Sequence, residues 1–292
     1  MLLLSRLPRP WKAWLRAQYA EAERWYVRAF RSYGADELAA CLRSLGVRPG
    51  DTVMLHSAFG SRYGFRGTID DLTRVFLDAI APGGNLLMVS LPYRSSTLDY
   101  LSTLKCFDVR KTPSMMGLVS EYFRRRAGVL RSLNPSHPVL AHGPDAESIV
   151  AGHEDCLYPC GPGTPFEKLA ALDGRAIFFN VPFATFTFFH HLEHLVSAEM
   201  PFPLYTDRPL EVPVIDWQGQ PRTVRTYAFS REAIRRRRFE VLERELRRRG
   251  LIRGCRVGAS RLEMVRVRDT VECAREMMRR GQHFHDFEEA RR

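Results

Sequence analysis

Short apolar runs of strand length alternate with amphipathic stretches of helix length from residue 35 onward, and this alternation constrains the fold more than any other property of the chain. Apolar positions recur at helical spacing over residues 36–45, 68–80 and 117–127. Between these stretches lie the compact apolar runs 52–56, 86–90, 139–141 and 175–181. Continuous apolar runs mark strands covered on both faces, and a strand–helix–strand order brings neighbouring strands parallel. The expected fold is therefore α/β, a layered α/β/α sheet with mostly parallel central strands.

Two segments depart from this rhythm. Residues 207–230 are rich in proline and turn chemistry, and the Gln218-Gly219 step predicts a β-hairpin arm. A long helix over 231–249 follows. At the other end, residues 11–33 carry Trp11, Trp14, Leu15, Tyr19, Trp25, Tyr26 and Phe30 with charges between them, which predicts an amphipathic helix. The expected division is an amino-terminal helical extension over 1–34, one domain over 35–280 that includes the hairpin arm, and a tail over 281–292. In a chain of 292 residues with 45% hydrophobic content, one such domain buries a full core.

The apolar start at residues 1–4 is halted by Ser5, Arg6, Pro8 and Arg9, so a cytoplasmic location is expected rather than export or membrane insertion. Six scattered cysteines give no paired spacing beyond Cys156 and Cys160, and no disulfide framework is expected. His153, Cys156 and Cys160 lack a fourth ligand at zinc spacing. The net charge of +11 is almost wholly arginine. Its densest runs, 235–238 and 247–249, alternate with glutamates at pairing distance and predict a solvated helix face rather than a nucleic-acid site. No aromatic interleaving or groove-reading motif accompanies them, so no nucleic-acid partner is expected.

Open α/β sheets bind ligands beyond the carboxyl ends of their strands. Three segments occupy such positions. His56, Ser57, Ala58 and Phe59 run from the 52–56 strand into a small polar turn whose amides suit an anion or oxyanion. Arg131 and Ser132 stand before the 139–141 strand in a charged, hydroxylated turn. Residues 185–195, after the 175–181 strand, hold His190, His191, Glu193 and His194. On a helix His190 and His194 share a face, with Glu193 beside His190 at i+3. The pattern fits either a proton-moving site or the H-x-x-E-H arrangement of a zinc hydrolase. Glycine-rich nucleotide loops and a G-x-S-x-G elbow are absent from the sequence, which disfavours nucleotide hydrolysis, dinucleotide redox chemistry and serine hydrolysis.

Taken together and in order, several segments resemble the aminoglycoside 3-N-acetyltransferase family. They are Leu55-His56-Ser57-Ala58-Phe59, Ala81-Pro82-Gly83-Gly84-Asn85-Leu86, Phe107-Asp108 with Thr112-Pro113-Ser114 and Gly117, Arg131-Ser132 with Pro135, and Gly161-Pro162-Gly163-Thr164-Pro165. Leu172-Asp173-Gly174, Thr187-Phe188-Phe189-His190 with Glu193, and Gly254 with Val257-Gly258-Ala259 and Asp269 complete the series over roughly residues 35–280. The resemblance implies an N-acyltransferase that takes acetyl-CoA or another acyl-CoA as co-substrate, needs no metal, and acylates an amine of a small molecule such as an amino sugar. It also implies that His190 is a catalytic base rather than a metal ligand.

On this reading His190 accepts the amine proton, Thr187 caps its helix, and Glu193 either opposes the helix dipole or orients the ring. Amides around Ser57 to Phe59 stabilise the thioester oxyanion. By resemblance His56, Ser57, Ala58, Phe59, Arg131 and Ser132 contact CoA. Transfer is direct, in a ternary complex. The sequence departs from the family at Asn134, where many members have histidine, at Ala184, where an acid is frequent, and around Phe229 and Arg231, where some members place carboxylates. With the net charge of +11, these departures argue for an acceptor less cationic than an aminoglycoside. A non-catalytic member acting in assembly or at a membrane surface is the alternative, and a zinc hydrolase the minor one. Peripheral membrane or protein contact through the first helix, and a homo-oligomer, are both compatible with the sequence.

Overall fold

The structure is a computed structural model that describes residues 9–287; the apolar opening run and the last residues of the tail lie outside the described residues. Helix α1 (Arg9–Phe30) stands before the body, and α2 (Ala35–Leu45) leads into β1 (Thr52–Ser57). Thr68 caps α3 (Ile69–Ile80) by accepting from the Asp71 amide, a capping box that sets the start of the helix. β2 (Asn85–Val89), α4 (Thr97–Thr103), β3 (Phe107–Asp108), α5 (Leu118–Arg124) and the antiparallel pair β4 (Leu130–Arg131) and β5 (Val139–His142) follow. Then come α6 (Ala146–Val150), α7 (Pro165–Ala171), β6 (Arg175–Phe179) and α8 (Phe189–Leu195).

The main sheet has the order β4-β5-β2-β1-β6 and is completed by β10 (Ser260–Arg266) and β9 (Arg253–Val257). Its three central strands, β2, β1 and β6, are parallel as expected, and the flanking strands join antiparallel. Alternate side chains of the central strands divide between two cores. Met54, Leu87, Val89, Ala176 and Phe178 face the layer that holds α6, α7, α8 and α11 (Val267–Arg279). Val53, Leu55, Leu86, Met88, Ile177 and Phe179 face α2, α3 and α5. The period of two along a strand thus builds the three layers.

The expected hairpin is present: β7 (Leu210–Ile215) and β8 (Pro221–Thr226) pair antiparallel and, with β3, form a separate small sheet. The Asp216 carboxylate accepts from the Gln218 and Gln220 amides, and Gly219 takes the left-handed conformation with φ of 81° that closes the turn.

Three expectations are corrected. The helix expected over 231–249 is two helices, α9 (Arg231–Arg236) and α10 (Phe239–Arg248), with Arg237 extended and Arg238 non-helical between them. The backbone groups released there pair with the tail: the Arg238 amide donates to Phe284, and the Asp286 amide to Arg236. Residues 284 and 285, within the segment expected as a tail, are consequently buried. The arginine run 235–238 is no uniform solvated face either, since Arg236 and Arg237 retain only 5% and 11% of their side-chain exposure. Finally, Cys41 of α2 and Cys255 of β9 form a disulfide across 214 residues of sequence. No spacing could suggest that pairing, because it depends on α2 packing beside β9 with the two Cα atoms 6.0 Å apart.

Candidate active site

The carboxyl ends of β1, β2 and β6 open onto a cavity of about 280 Å³. β1 is the switch point of the sheet, with β2 on one side and β6 on the other, so the crevice lies where open sheets receive ligands. Its walls are largely apolar: Leu55, Met88, Val89, Leu91, Met116, Val181, Phe186 and Phe239. His56, Ser57, Ser120, Thr185, Thr187 and His190 supply the polar groups, and none of the lining residues is acidic.

His190 is the second residue of α8 and presents its ring to this cavity. Nδ1 is 2.7 Å from Oε2 of Glu193, one turn on, as the i,i+3 spacing requires. A carboxylate can only accept here, so Nδ1 carries the proton and Nε2 is left as the basic nitrogen. Nε2 has no protein partner among the described residues.

Glu193 has no exposed surface. Its Oε1 accepts from Arg237 Nε and His285 Nε2, each at 2.7 Å. Burial alone would raise its pKa, but the Arg237 charge and the bonds from His190 and His285 outweigh this and hold the carboxyl well below its usual range. The same surroundings act on His190. Burial first, and then the Arg237 charge, lower its pKa below the ordinary histidine value, while Glu193 opposes the shift. The ring is therefore neutral near pH 7. The cause is burial rather than the dipole of a seven-residue helix.

A second imidazole backs the first. His137 is buried, with its ring edge-on to His190 at 5.5 Å and to Phe229 at 5.5 Å. It is delivered by Asn134, whose Oδ1 accepts from the Ser136 and His137 amides and the Ser136 hydroxyl. Phe229 lies 4.9 Å from His190 and beneath the Arg237 guanidinium. Sequence reasoning missed Arg237, His285 and His137. The Asn-Pro-Ser-His-Pro turn was the available signal for His137; the other two carry none, because a helix break and a tail contact place them.

The remaining sequence-predicted residues divide. His56 and Ser57 line the cavity, and the buried Nε2 of His56 has no hydrogen-bond partner. Ala58 and Phe59 do not line it: the Ala58 amide donates to Phe179 O at 2.9 Å, and Phe59 packs on the α2/α3 core. Thr187 lines the cavity but does not cap α8, whose cap position is Phe188 without a side-chain bond. Arg131 is buried away from it, donating to Thr112 O and Ser90 O, each at 2.6 Å. Ser132 Oγ accepts from the Val139 amide and meets His153 Nδ1 at 2.8 Å. These two residues tie β4 and β5 to the loops beneath them.

The zinc reading fails on chemistry. Glu193, which would have to activate water, is enclosed by three partners, and His194 turns its Nδ1 to Tyr205 at 3.0 Å. His191 is held by Cys160 O at 2.7 Å.

Buried neutral histidines also set an acid limit. Burial lowers the pKa of His56 and His153 from 6.5 to about 4. The unfolded chain binds their protons at higher pH, so their contribution to stability is complete above pH 6.5 and is lost as pH falls toward about 4. Thermal unfolding between pH 7.5 and pH 4.5 should show a falling Tm with net proton uptake on unfolding; a Tm constant across that window would contradict the buried neutral state.

The comparisons with known proteins agree with this architecture. The family model described as aminoglycoside 3-N-acetyltransferase matches residues 54–279. Aminoglycoside N(3)-acetyltransferase VII of Streptomyces paromomycinus is 27% identical over 259 residues, 80% of this chain and 88% of that protein. Aminoglycoside N(3)-acetyltransferase III of Pseudomonas aeruginosa is 28% identical over 217 residues, 67% and 79% of the two chains. The crystal structure of aminoglycoside acetyltransferase AAC(3)-Xa superposes with a TM-score of 0.75 at 26% identity, covering 91% of this chain and 99% of its own. AAC-IIIb, solved with coenzyme A, shares the fold with a TM-score of 0.71 at 24% identity, over 86% and 97%. With the match spanning most of its length and the site at its centre, the chain belongs to the aminoglycoside 3-N-acetyltransferase family.

Proposed function

We propose that this protein is a CoA-dependent N-acetyltransferase in which His190 is the general base, acting on an amino sugar less cationic than an aminoglycoside. The observation that carries the reading is the His190–Glu193 pair, 2.7 Å apart at the wall of the cavity, with Nε2 unengaged. Acetyl-CoA is the acyl donor. As the acceptor nitrogen attacks the thioester carbonyl, Nε2 takes its proton; the carbon–sulfur bond then breaks and the departing CoA sulfur takes that proton to leave as the free thiol, while Glu193 keeps the ring in the Nδ1–H tautomer and balances the imidazolium that forms. The side-chain hydroxyls of Ser57 and Thr187 and the ring of His56 are the polar groups available to the thioester oxygen. The apolar wall suits the acyl and pantetheine portion, whereas Arg131 and Ser132 serve the fold. Transfer is direct, since buried Cys160 is not among the cavity's lining residues and burial raises its thiol pKa well above the usual value.

The acceptor follows from charge. A polycation needs carboxylates around it, and this cavity has none in its lining, in a chain of net charge +11. A histidine-to-alanine mutant of AAC(3)-IVa has been solved with a gentamicin, so that drug is the informative competitor. In an assay of CoA released from acetyl-CoA, a monoamino sugar should be turned over with a higher kcat/KM than gentamicin. Preference for gentamicin would refute the acceptor, and no CoA release with any amine would refute the activity.

A further inference from the structure

We propose that α1 is a docking helix that lies on an anionic lipid surface through its aromatic face. Among the described residues, most of the strongly exposed large apolar side chains sit on this helix. Trp11, Trp14, Tyr19, Trp25, Tyr26 and Phe30 are between 50% and 74% exposed, and Val27 is the one buried residue among those of the helix whose side chains are described. At about 100° per residue, Trp11, Trp14, Trp25 and Tyr26 fall within an arc of about 120° on the side opposite Val27. The body therefore does not cover them.

The helix is nonetheless fixed in direction. The Ala259 amide donates to Arg31 O at 2.9 Å, and the Arg31 guanidinium donates to Gly258 O at 2.8 and 3.1 Å. It also lies outside the family body, whose match begins at residue 54. An exposed aromatic helix standing before the body costs solubility unless something receives it.

Charge complementarity selects an anionic lipid surface as the occupant. The helix sequence has five cations, Arg9, Lys12, Arg16, Arg24 and Arg28, against two anions, Glu21 and Glu23, a net of +3; on the same wheel Lys12 and Arg28 flank the aromatic arc with Arg24 next beyond Arg28, while Arg9 and Arg16 fall on the side of Val27. Tryptophan and tyrosine, apolar in body and polar at one edge, are the residues of the membrane–water interface, and arginines beside them meet lipid phosphates. Coiled-coil pairing with a second copy instead requires an aliphatic seam, and this face offers a single aliphatic residue, Leu15, among tryptophans, Gln18 and alanines. No described helix is long and apolar enough to cross a membrane, so α1 lies on the surface.

The test is co-sedimentation of the full chain with phosphatidylcholine vesicles, with and without phosphatidylglycerol. Binding at least ~10-fold stronger to the anionic vesicles, weakened by salt, is expected. Tryptophan emission should shift to the blue. Three of the four tryptophans lie on α1, and the fourth, Trp217, already donates to Arg131 O within the protein. The double variant Trp14→Glu/Trp25→Glu should lose ~10-fold or more in binding with Tm unchanged. Failure of the wild type to bind anionic vesicles, or equal binding by the variant, would overturn the proposal. So would a wild-type dimer that the variant converts to monomer without any vesicle binding.

Discussion

Replacing His190 by glutamine is expected to lower kcat by roughly 10²–10⁴-fold, the usual contribution of a positioned base, while leaving the affinity for acetyl-CoA within about twofold. Glutamine retains a polar head that can meet Glu193 yet has no basic nitrogen for Nε2. The pH profile supplies the sharper readout. Because burial and Arg237 depress the His190 pKa, the acid limb of kcat/KM in the wild type should fall below the ordinary histidine value of 6.5. That limb should disappear from the residual activity of His190→Gln. Steady-state kinetics across pH with CoA-thiol detection measures both effects. A variant that keeps more than about a tenth of the wild-type kcat would remove His190 from the chemistry, since even a weak general base contributes more than that.

Glu193→Gln should damage both rate and stability, because the carboxylate has two tasks. It fixes the Nδ1–H tautomer of His190, and it is the counter-ion that lets Arg237 lie buried. An amide can present its NH2 to Nδ1 and stabilise the wrong tautomer, for which a loss of about 10³- to 10⁴-fold in kcat is expected. Removing one partner of a buried charge pair costs about 3–5 kcal/mol, since the other charge is left uncompensated. The pH profile separates the two tasks. Glu193 raises the His190 pKa, so its neutralisation should move the acid limb lower still. Denaturant unfolding would read the stability. Wild-type kcat in a destabilised variant would make Glu193 a structural residue alone.

The sheet was legible because its strands are covered on both faces and so appear as apolar runs bounded by glycines and turns. The predicted strand over 52–56 and the observed β1 differ by one residue. The β9–β10 hairpin and α11 were not read, since arginines and glutamates interrupt their apolar pattern; Glu263 lies in a buried stretch of β10 only because Arg247 and Arg261 pair with it. At the site, His190 and Glu193 were legible as neighbours on one helix, because i,i+3 contacts are local. Arg131 and Ser132 were placed at the ligand by resemblance, yet their side chains serve backbone carbonyls, an amide and His153.

The sequence by itself determined the layered α/β order, the position of the crevice at the strand ends, the His190–Glu193 pair and the amphipathic α1. All of these follow from contacts within a few residues or from hydrophobic periodicity. Only the tertiary structure decided what surrounds the His190–Glu193 pair. Arg237 reaches Glu193 across 44 residues because the helix breaks after Arg236, and His285 does so across 92 because the tail folds back. The same buried carboxylate holds the Nδ1–H tautomer of His190 and, with three partners around it, speaks against the zinc reading. Its three partners are selected by burial, which tolerates an ionised glutamate only where charge and hydrogen bonds enclose it, and no local pattern encodes such an enclosure.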